Sequence, residues 1–190
     1  HNIFTDKKAL ITGASSGIGA STALLLAKNG IRVILTARRI DRLNEVTENI
    51  RVSGGRAIPI HADLTLESDR ISLYSTLSEK NLLPDILINN AGIAWYGYFY
   101  EMPWQVAQDI LNLNIEATTH LTSLFLPHMV KNRFGRIINI GSIAGKLPEQ
   151  GIAVYSASKA YLDAFSKVLH RELKGSGVIA SVLRAGPVKT

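Results

Sequence analysis

Tyr155 and Lys159, four positions apart, carry the most chemistry in this sequence. The segment around them reads as a helix, and residues at i and i+4 of a helix share one face. A free phenol has a pKa of about 10 and exchanges protons poorly near neutrality. An ammonium beside it favours the phenolate and brings the group toward the working range of an acid–base catalyst. Taken alone, such a pair is common on solvated helices. Here a serine, Ser142, stands thirteen positions upstream, and a glycine-rich turn opens the chain.

That turn is Gly13-Ala14-Ser15-Ser16-Gly17-Ile18-Gly19. It follows Lys8-Ala9-Leu10-Ile11-Thr12, a short apolar run that reads as a buried strand. It precedes Ala20 to Asn29, a helical stretch with Ala23, Leu24, Leu26 and Ala27 as its apolar face. Strand, glycine turn and helix N-terminus together make a phosphate cradle. Glycines permit the tight turn and a close backbone approach, while free N–H groups and the helix dipole favour a pyrophosphate. An ordinary strand-to-helix turn rarely needs three glycines in seven residues. A mononucleotide P-loop is disfavoured, because no Gly-Lys-Ser/Thr closes the motif.

The rest of the chain repeats the strand–helix unit. Strands are expected over Ile31 to Thr36, Ala57 to His61, Asp85 to Asn89, Arg136 to Ile140 and Val178 to Leu183. Helices are expected over Asp41 to Val52, Leu66 to Lys80, a long stretch from about Pro103 to Asn132 that Pro127 should kink or end, and Val154 to Lys174. Alternation of this kind predicts an α/β fold, a doubly wound parallel sheet of the Rossmann type covered on both faces. The whole of 1–190 reads as one dinucleotide-binding and catalytic domain, with no linker or low-complexity segment.

Composition narrows the function classes. The chain has 190 residues, no cysteine and a net charge of +6. Thiol catalysis, disulfides and thiolate metal sites are therefore excluded, and a cytoplasmic setting is expected. Lysines and arginines are scattered, with no basic block and no stacking motif, so nucleic acid is discounted as a partner; no membrane partner is expected either. No run is long and apolar enough to span a bilayer, and no signal-peptide pattern opens the sequence. His61, His120 and His128 show no metal-ligand spacing, and no metal is expected.

With these residues in place, the chain resembles the single-domain branch of the short-chain dehydrogenase/reductase family. The matching segments are Thr12 to Gly19, Asp63, Asn89-Asn90-Ala91-Gly92, Asn114, Ser142, Tyr155 with Lys159, and Gly186-Pro187-Val188-Lys189-Thr190. The resemblance implies hydride transfer between a nicotinamide and a carbonyl or alcohol carbon. Tyr155 would be the general acid in reduction and the base in oxidation. Lys159 would lower its pKa and bond the nicotinamide ribose. Ser142 would hold the substrate oxygen, and Asn114 a water linking Lys159 to solvent. Gly13, Ser15, Ser16, Gly17, Ile18, Gly19, Asn90, Gly92, Val188 and Thr190 would surround the cofactor, and Asp63 would accept from the adenine amino group. Each residue also has a plainer reading. Ser142 could cap a turn after strand five, and Asn114, with Asn112 nearby, could be an ordinary helix asparagine. The resemblance further implies a homodimer or homotetramer built on the long helix and the helix of Tyr155, where Ala153, Ala157, Ala160 and Ala164 would allow close packing or simply face the sheet.

Cofactor choice has a local signal. A site preferring NAD(H) usually has an acid at the end of strand two, bonding the ribose 2′-hydroxyl. Here Ala37 is followed by Arg38 and Arg39. A carboxylate would repel a 2′-phosphate, whereas arginine binds it by a charge-assisted fork. NADP(H) is thus expected over NAD(H), with Arg38 as the main contact. The plainer alternative is that both arginines are solvated at the start of helix two.

The substrate is less legible. Trp95, Tyr96, Tyr98, Phe99, Tyr100 and Trp104 crowd the segment after strand four, where ligands bind in open α/β sheets. They suit a wall for a bulky apolar carbonyl compound, or a subunit interface. Leu147 to Gly151 would form the opposite rim. Two departures from the family stand out. Ala185 occupies a position usually held by proline, and the sequence stops at Thr190, before the substrate loop and seventh strand that the family carries, so a longer natural protein is expected. A rival reading is a catalytically idle NADP(H)-binding sensor or scaffold on the same fold.

Overall fold

The computed structural model describes residues 3–186. Val188 and Thr190, expected near the nicotinamide, lie outside them. Six strands form one parallel sheet: β1 (Lys8–Thr12), β2 (Arg32–Ala37), β3 (Ala57–His61), β4 (Ile86–Asn89), β5 (Gly135–Ser142) and β6 (Val178–Ala185). Their order is β3-β2-β1-β4-β5-β6. The chain therefore reverses its direction of travel between β1 and β4, which opens a crevice at the strands' C-terminal ends.

Both faces of the sheet are covered, because successive side chains of a strand point to opposite sides. Ile11, Val33 and Leu35 pack with Leu43 and Ile50 under α1 (Gly17–Lys28) and α2 (Ile40–Val52). Leu10, Ile34, Leu87 and Ile137 point the other way. They meet Leu73 of α3 (Glu67–Glu79), Phe125 and Met129 of the long helix, and Leu169 of the last helix. On α1 the buried stripe is Gly19, Ala23 and Ala27, whereas Leu24 is 40% exposed and faces outward.

The long helix runs from α4 (Trp104–Ile110) through a π-helical stretch (Leu111–Ala117) into α5 (Thr118–Lys131). Pro127 does not end it, since α5 continues to Lys131. The departure from α geometry comes earlier, where the wider π turn surrounds Asn114. The last helix, α6 (Ala153–Glu172), carries Tyr155 and Lys159. Ala153, Ala157, Ala160 and Ala164 are all exposed on α6, so their stripe faces away from the sheet.

Candidate active site

A single open cleft of about 740 Å³ lies at the C-terminal ends of the strands. At one end it is bounded by Gly13, Ser15, Ser16, Gly17 and Ile18, with Arg38, Arg39 and Asp63. At the other it is bounded by Ser142, Tyr155 and Lys159. Asn90 and Gly92 lie between. Gly19 and Asn114 do not face it.

The glycine turn is shaped by backbone conformation and by the side chain of Asn90. Gly13 has φ +62°, and a Cβ there would stand 2.9 Å from Ala91 Cα and 3.0 Å from Asn90 Nδ2. Gly19 is as crowded from behind, with a Cβ 2.5 Å from Asn90 Nδ2 and from the Gly13 carbonyl. Asn90 Nδ2 donates to the carbonyls of Thr12 (2.9 Å) and Gly13 (3.2 Å). Thr12 Oγ1 in turn accepts from the backbone N–H groups of Asn90 and Ala91, both at 2.9 Å. Asn90 thus spends its amide on holding the turn against the end of β4. Thr12, in the sequence only the first residue of the matching segment, thus braces the turn from the end of β1.

Arg38 and Arg39 part company at the start of α2. Arg39 reaches back across the cleft floor and donates to Ser16 Oγ (2.8 Å) and Ser15 Oγ (3.3 Å). Arg38 makes no side-chain hydrogen bond among the described residues and lines the cleft, exposed. The sequence points to Arg38 as the main contact; the structure brings Arg39 to the glycine turn as well. Asp63 is braced by Thr65, whose N–H (3.1 Å) and hydroxyl (2.7 Å) both donate to Oδ1.

At the other end, α6 directs Tyr155 and Lys159 to the cleft. Lys159 is 6% exposed, and its ammonium donates to the Ile140 carbonyl at 2.8 Å and lies 5.6 Å from the centre of the Tyr155 ring. Burial lowers its pKa from 10.5 to about 8. The Tyr155 phenol takes part in no hydrogen bond among the described residues. Ser142 is half-buried at the end of β5 and caps the short 3-10 turn Ile143–Gly145, its Oγ accepting from Ala144 N at 3.1 Å. That bond uses a lone pair and leaves the hydroxyl proton free to donate. Turn-capping and substrate-holding are therefore compatible in this serine.

Asn114 is 1% exposed in the π-helical stretch. Its Oδ1 accepts from Ile93 N, and its Nδ2 donates to Ile93 O, both at 2.9 Å. The second amide proton goes to Ser158 Oγ at 3.0 Å, and Ser158 donates to the Tyr155 carbonyl at 2.7 Å. A Cβ at Gly92 would stand 3.2 Å from Asn114 Oδ1 and 3.4 Å from Lys159 Nζ, so these groups close on the same glycine. Asn114 thereby ties the segment after β4 to the second turn of α6. Ser158, the middle of this chain, carried no signal beyond its place in Tyr155-Ser156-Ala157-Ser158-Lys159.

The aromatic segment divides. Tyr96 lines the cleft, facing Leu147, Glu149 and Ile152 on the other rim. Tyr98 and Tyr100 stack on each other outside it, 5.5 Å between ring centres and 6° between planes. Phe99 and Trp104 are 63% and 66% exposed on the outer surface. Gly97 N donates to Gly151 O at 2.9 Å and joins the two rims. Among the described residues no cluster of His, Cys, Asp or Glu could hold a metal ion, and no helix is long and apolar enough to cross a membrane.

A parallel sheet with its order reversed at β1/β4, a glycine turn on a helix N-terminus, and a buried lysine beside a tyrosine make an α/β domain whose cleft suits a dinucleotide. Comparison with known proteins narrows the class. Residues 7–190 match the short chain dehydrogenase family model, and the chain belongs to that family of oxidoreductases. It is 35% identical over 187 residues to a 3-oxoacyl-[acyl-carrier-protein] reductase of Synechocystis sp., covering 98% of this chain and 76% of the relative. Among solved structures, a short-chain dehydrogenase from Sphingobium yanoikuyae in complex with NADPH superposes with a TM-score of 0.91 at 36% identity, covering 96% of this chain and 72% of the other. The bulky-bulky ketone specific alcohol dehydrogenase from Comamonas testosteroni gives 0.89 at 34% identity, covering 95% and 72%. Other similar structures hold NADP or NAD+. The chain spans 55% to 80% of the length of the curated relatives described as reductases, dehydrogenases or oxidoreductases.

Proposed function

We propose that this protein moves a hydride between NADP(H) and a bulky, apolar ketone or its secondary alcohol, with Tyr155 as the general acid and base. The observation that carries this reading is the single cleft joining the glycine turn to Ser142, Tyr155 and Lys159. The residues present suit the cofactor. The Gly13 corner has no room for a side chain, and backbone N–H groups at the start of α1 face the cleft with no acid in the first turn to oppose a pyrophosphate. Ala37 leaves the end of β2 without a carboxylate, and Arg38 and Arg39 flank it, so a 2′-phosphate meets two cations. When bound there, the nicotinamide supplies or accepts the hydride.

The chain's own residues handle the oxygen. Ser142 donates its free hydroxyl proton to the carbonyl oxygen and holds it where charge develops. Tyr155 gives its phenolic proton to that oxygen as the alkoxide forms, and takes it back in the reverse direction. The Lys159 ammonium stabilises the phenolate left behind. Asn114 fixes the turn of α6 from which both project. Tyr96, Leu147 and Ile152 present apolar surface on the two rims, in keeping with a large apolar substrate. The exposed alanine stripe of α6 supports assembly into a homodimer or homotetramer, checked by sedimentation at micromolar concentration.

Turnover of NADPH with a panel of aryl and branched ketones tests the reading, alongside direct NADPH binding. Tyr155→Phe should bind NADPH almost normally and lose at least about 100-fold in kcat, the usual contribution of general acid–base catalysis. Near-normal turnover in that variant sinks the assignment. Binding without turnover across the panel by the unsubstituted protein points instead to an NADP(H)-binding sensor.

A further inference from the structure

Asp163 lies one turn beyond Lys159 on α6, at the second four-residue step from Tyr155. It is 3% exposed and does not line the cleft. Its carboxylate accepts from Arg184 Nε at 2.9 Å (Oδ1) and 3.2 Å (Oδ2). Lys146 Nζ stands 3.5 Å from Oδ2. A buried carboxylate met by two cations is stabilised only while both chain segments that bring them stay in place.

Those two segments form the rim of the candidate active site. Lys146 closes the turn that Ser142 opens, its N–H bonded to Ile143 O at 2.9 Å. The turn lies so close to α6 that a Cβ on Gly145 would stand 2.7 Å from Lys159 C. Arg184 is the penultimate residue of β6, and Ala185, which follows it, pairs with Ser142 in the β5–β6 ladder. Ser142, Ala144, Ala185 and Gly186 all line the cleft. One carboxylate on the helix of the acid–base pair therefore holds both strand ends that complete the site.

We propose that Asp163 is a positioning residue. Through Lys146 and Arg184 it sets the Ser142 turn and the end of β6 relative to Tyr155 and Lys159. This rests on the reductase reading for its effect on turnover, but its structural half stands apart from it. Ala185 has none of the rigidity that a proline would give this strand end; the ion pair to the neighbouring Arg184 supplies the restraint.

The test uses Asp163→Asn, Arg184→Gln and the double variant, with Arg184→Lys and Lys146→Gln as milder changes at half-exposed cations. Amide hydrogen exchange over residues 142–146 and 182–185 is compared with exchange over 8–37. Faster exchange in the first two segments, with the third unchanged, is expected in both single variants. NADPH affinity should change less than threefold, since the adenosine end is remote. With an accepted ketone, kcat should fall at least tenfold in each single variant, no further in the double variant, and by a smaller factor in Arg184→Lys. Additive losses in the double variant would overturn the proposal. So would unchanged exchange at 142–146, or a lowered melting temperature with kcat per folded molecule unchanged. If no ketone is turned over, the reductase reading fails, and exchange in Arg184→Lys and Lys146→Gln still decides whether the tether exists.

Discussion

Lys159→Met should make the protein more stable at neutral pH while abolishing its activity. Burial holds this ammonium at about 8 against its ordinary 10.5. At about 1.4 kcal/mol per pKa unit, the fold carries roughly 3 kcal/mol against the charged form. The substitution removes that cost and also the 2.8 Å bond to the Ile140 carbonyl, worth about 1 kcal/mol. A net gain of about 2 kcal/mol remains, equivalent to roughly 4–8 °C in Tm for a chain of this size. The pH dependence is distinctive. Below about pH 8 the lysine is charged in both states and the penalty is complete. Between 8 and 10.5 the unfolded chain holds a proton that the folded chain has lost, so stability rises with pH. By about pH 10 less than 1 kcal/mol of the penalty is left, and the variant's advantage disappears. Urea unfolding of both proteins at pH 7 and pH 10, with NADPH turnover at pH 7, measures this directly. A variant less stable at pH 7, or one whose gain is the same at both pH values, refutes burial as the cause.

Other expectations follow from the same geometry. Arg39→Ala and Arg38→Ala should each weaken NADPH far more than NADH, and Ala37→Asp should shift preference toward NADH through repulsion of the 2′-phosphate; equal losses for both cofactors, read by fluorescence titration, would remove the arginines from phosphate recognition. Gly13→Ala should cost about 2 kcal/mol by urea unfolding, because φ +62° and the 2.9 Å approach to Ala91 both oppose a Cβ, and it should weaken NADPH by displacing Asn90. Arg70 is 1% exposed, donates to Leu64 O at 2.8 Å and His120 Nδ1 at 3.0 Å, and pairs with Glu116 of the π-helical stretch. Arg70→Met should destabilise by about 2 kcal/mol by leaving the Leu64 carbonyl unpaired; an unchanged urea midpoint would show that the carbonyl finds another donor.

The sequence by itself determined the class of fold and which residues are candidates for the chemistry. Short apolar runs alternating with helical stretches predict a parallel sheet, because only a covered sheet can bury both faces of such strands. Tyr155 and Lys159 share a helix, so their spacing alone settles that they face the same way. The glycine turn is local in its residue types, whereas the Asn90 side chain that holds it comes from the end of β4. What tertiary structure decided lies between segments distant in the chain. Ser142 reaches the cleft because β5 ends beside β6 and under α6, and its turn-capping bond leaves its proton available. Asn114 sits on a π-helical stretch whose bonds to Ile93 and Ser158 come from two other elements, which no local pattern specifies. Arg39 and Arg38 are neighbours of one chemical type, and only the position of Ser15 and Ser16 opposite β2 tells them apart. The aromatic segment reads as one wall, yet the turn at Gly97, bonded to Gly151, sends Tyr96 inward and leaves Tyr98, Phe99 and Tyr100 outside. Asp163 shows the same division: a carboxylate on a helix has no evident purpose until β6 and the Ser142 turn bring it two cations.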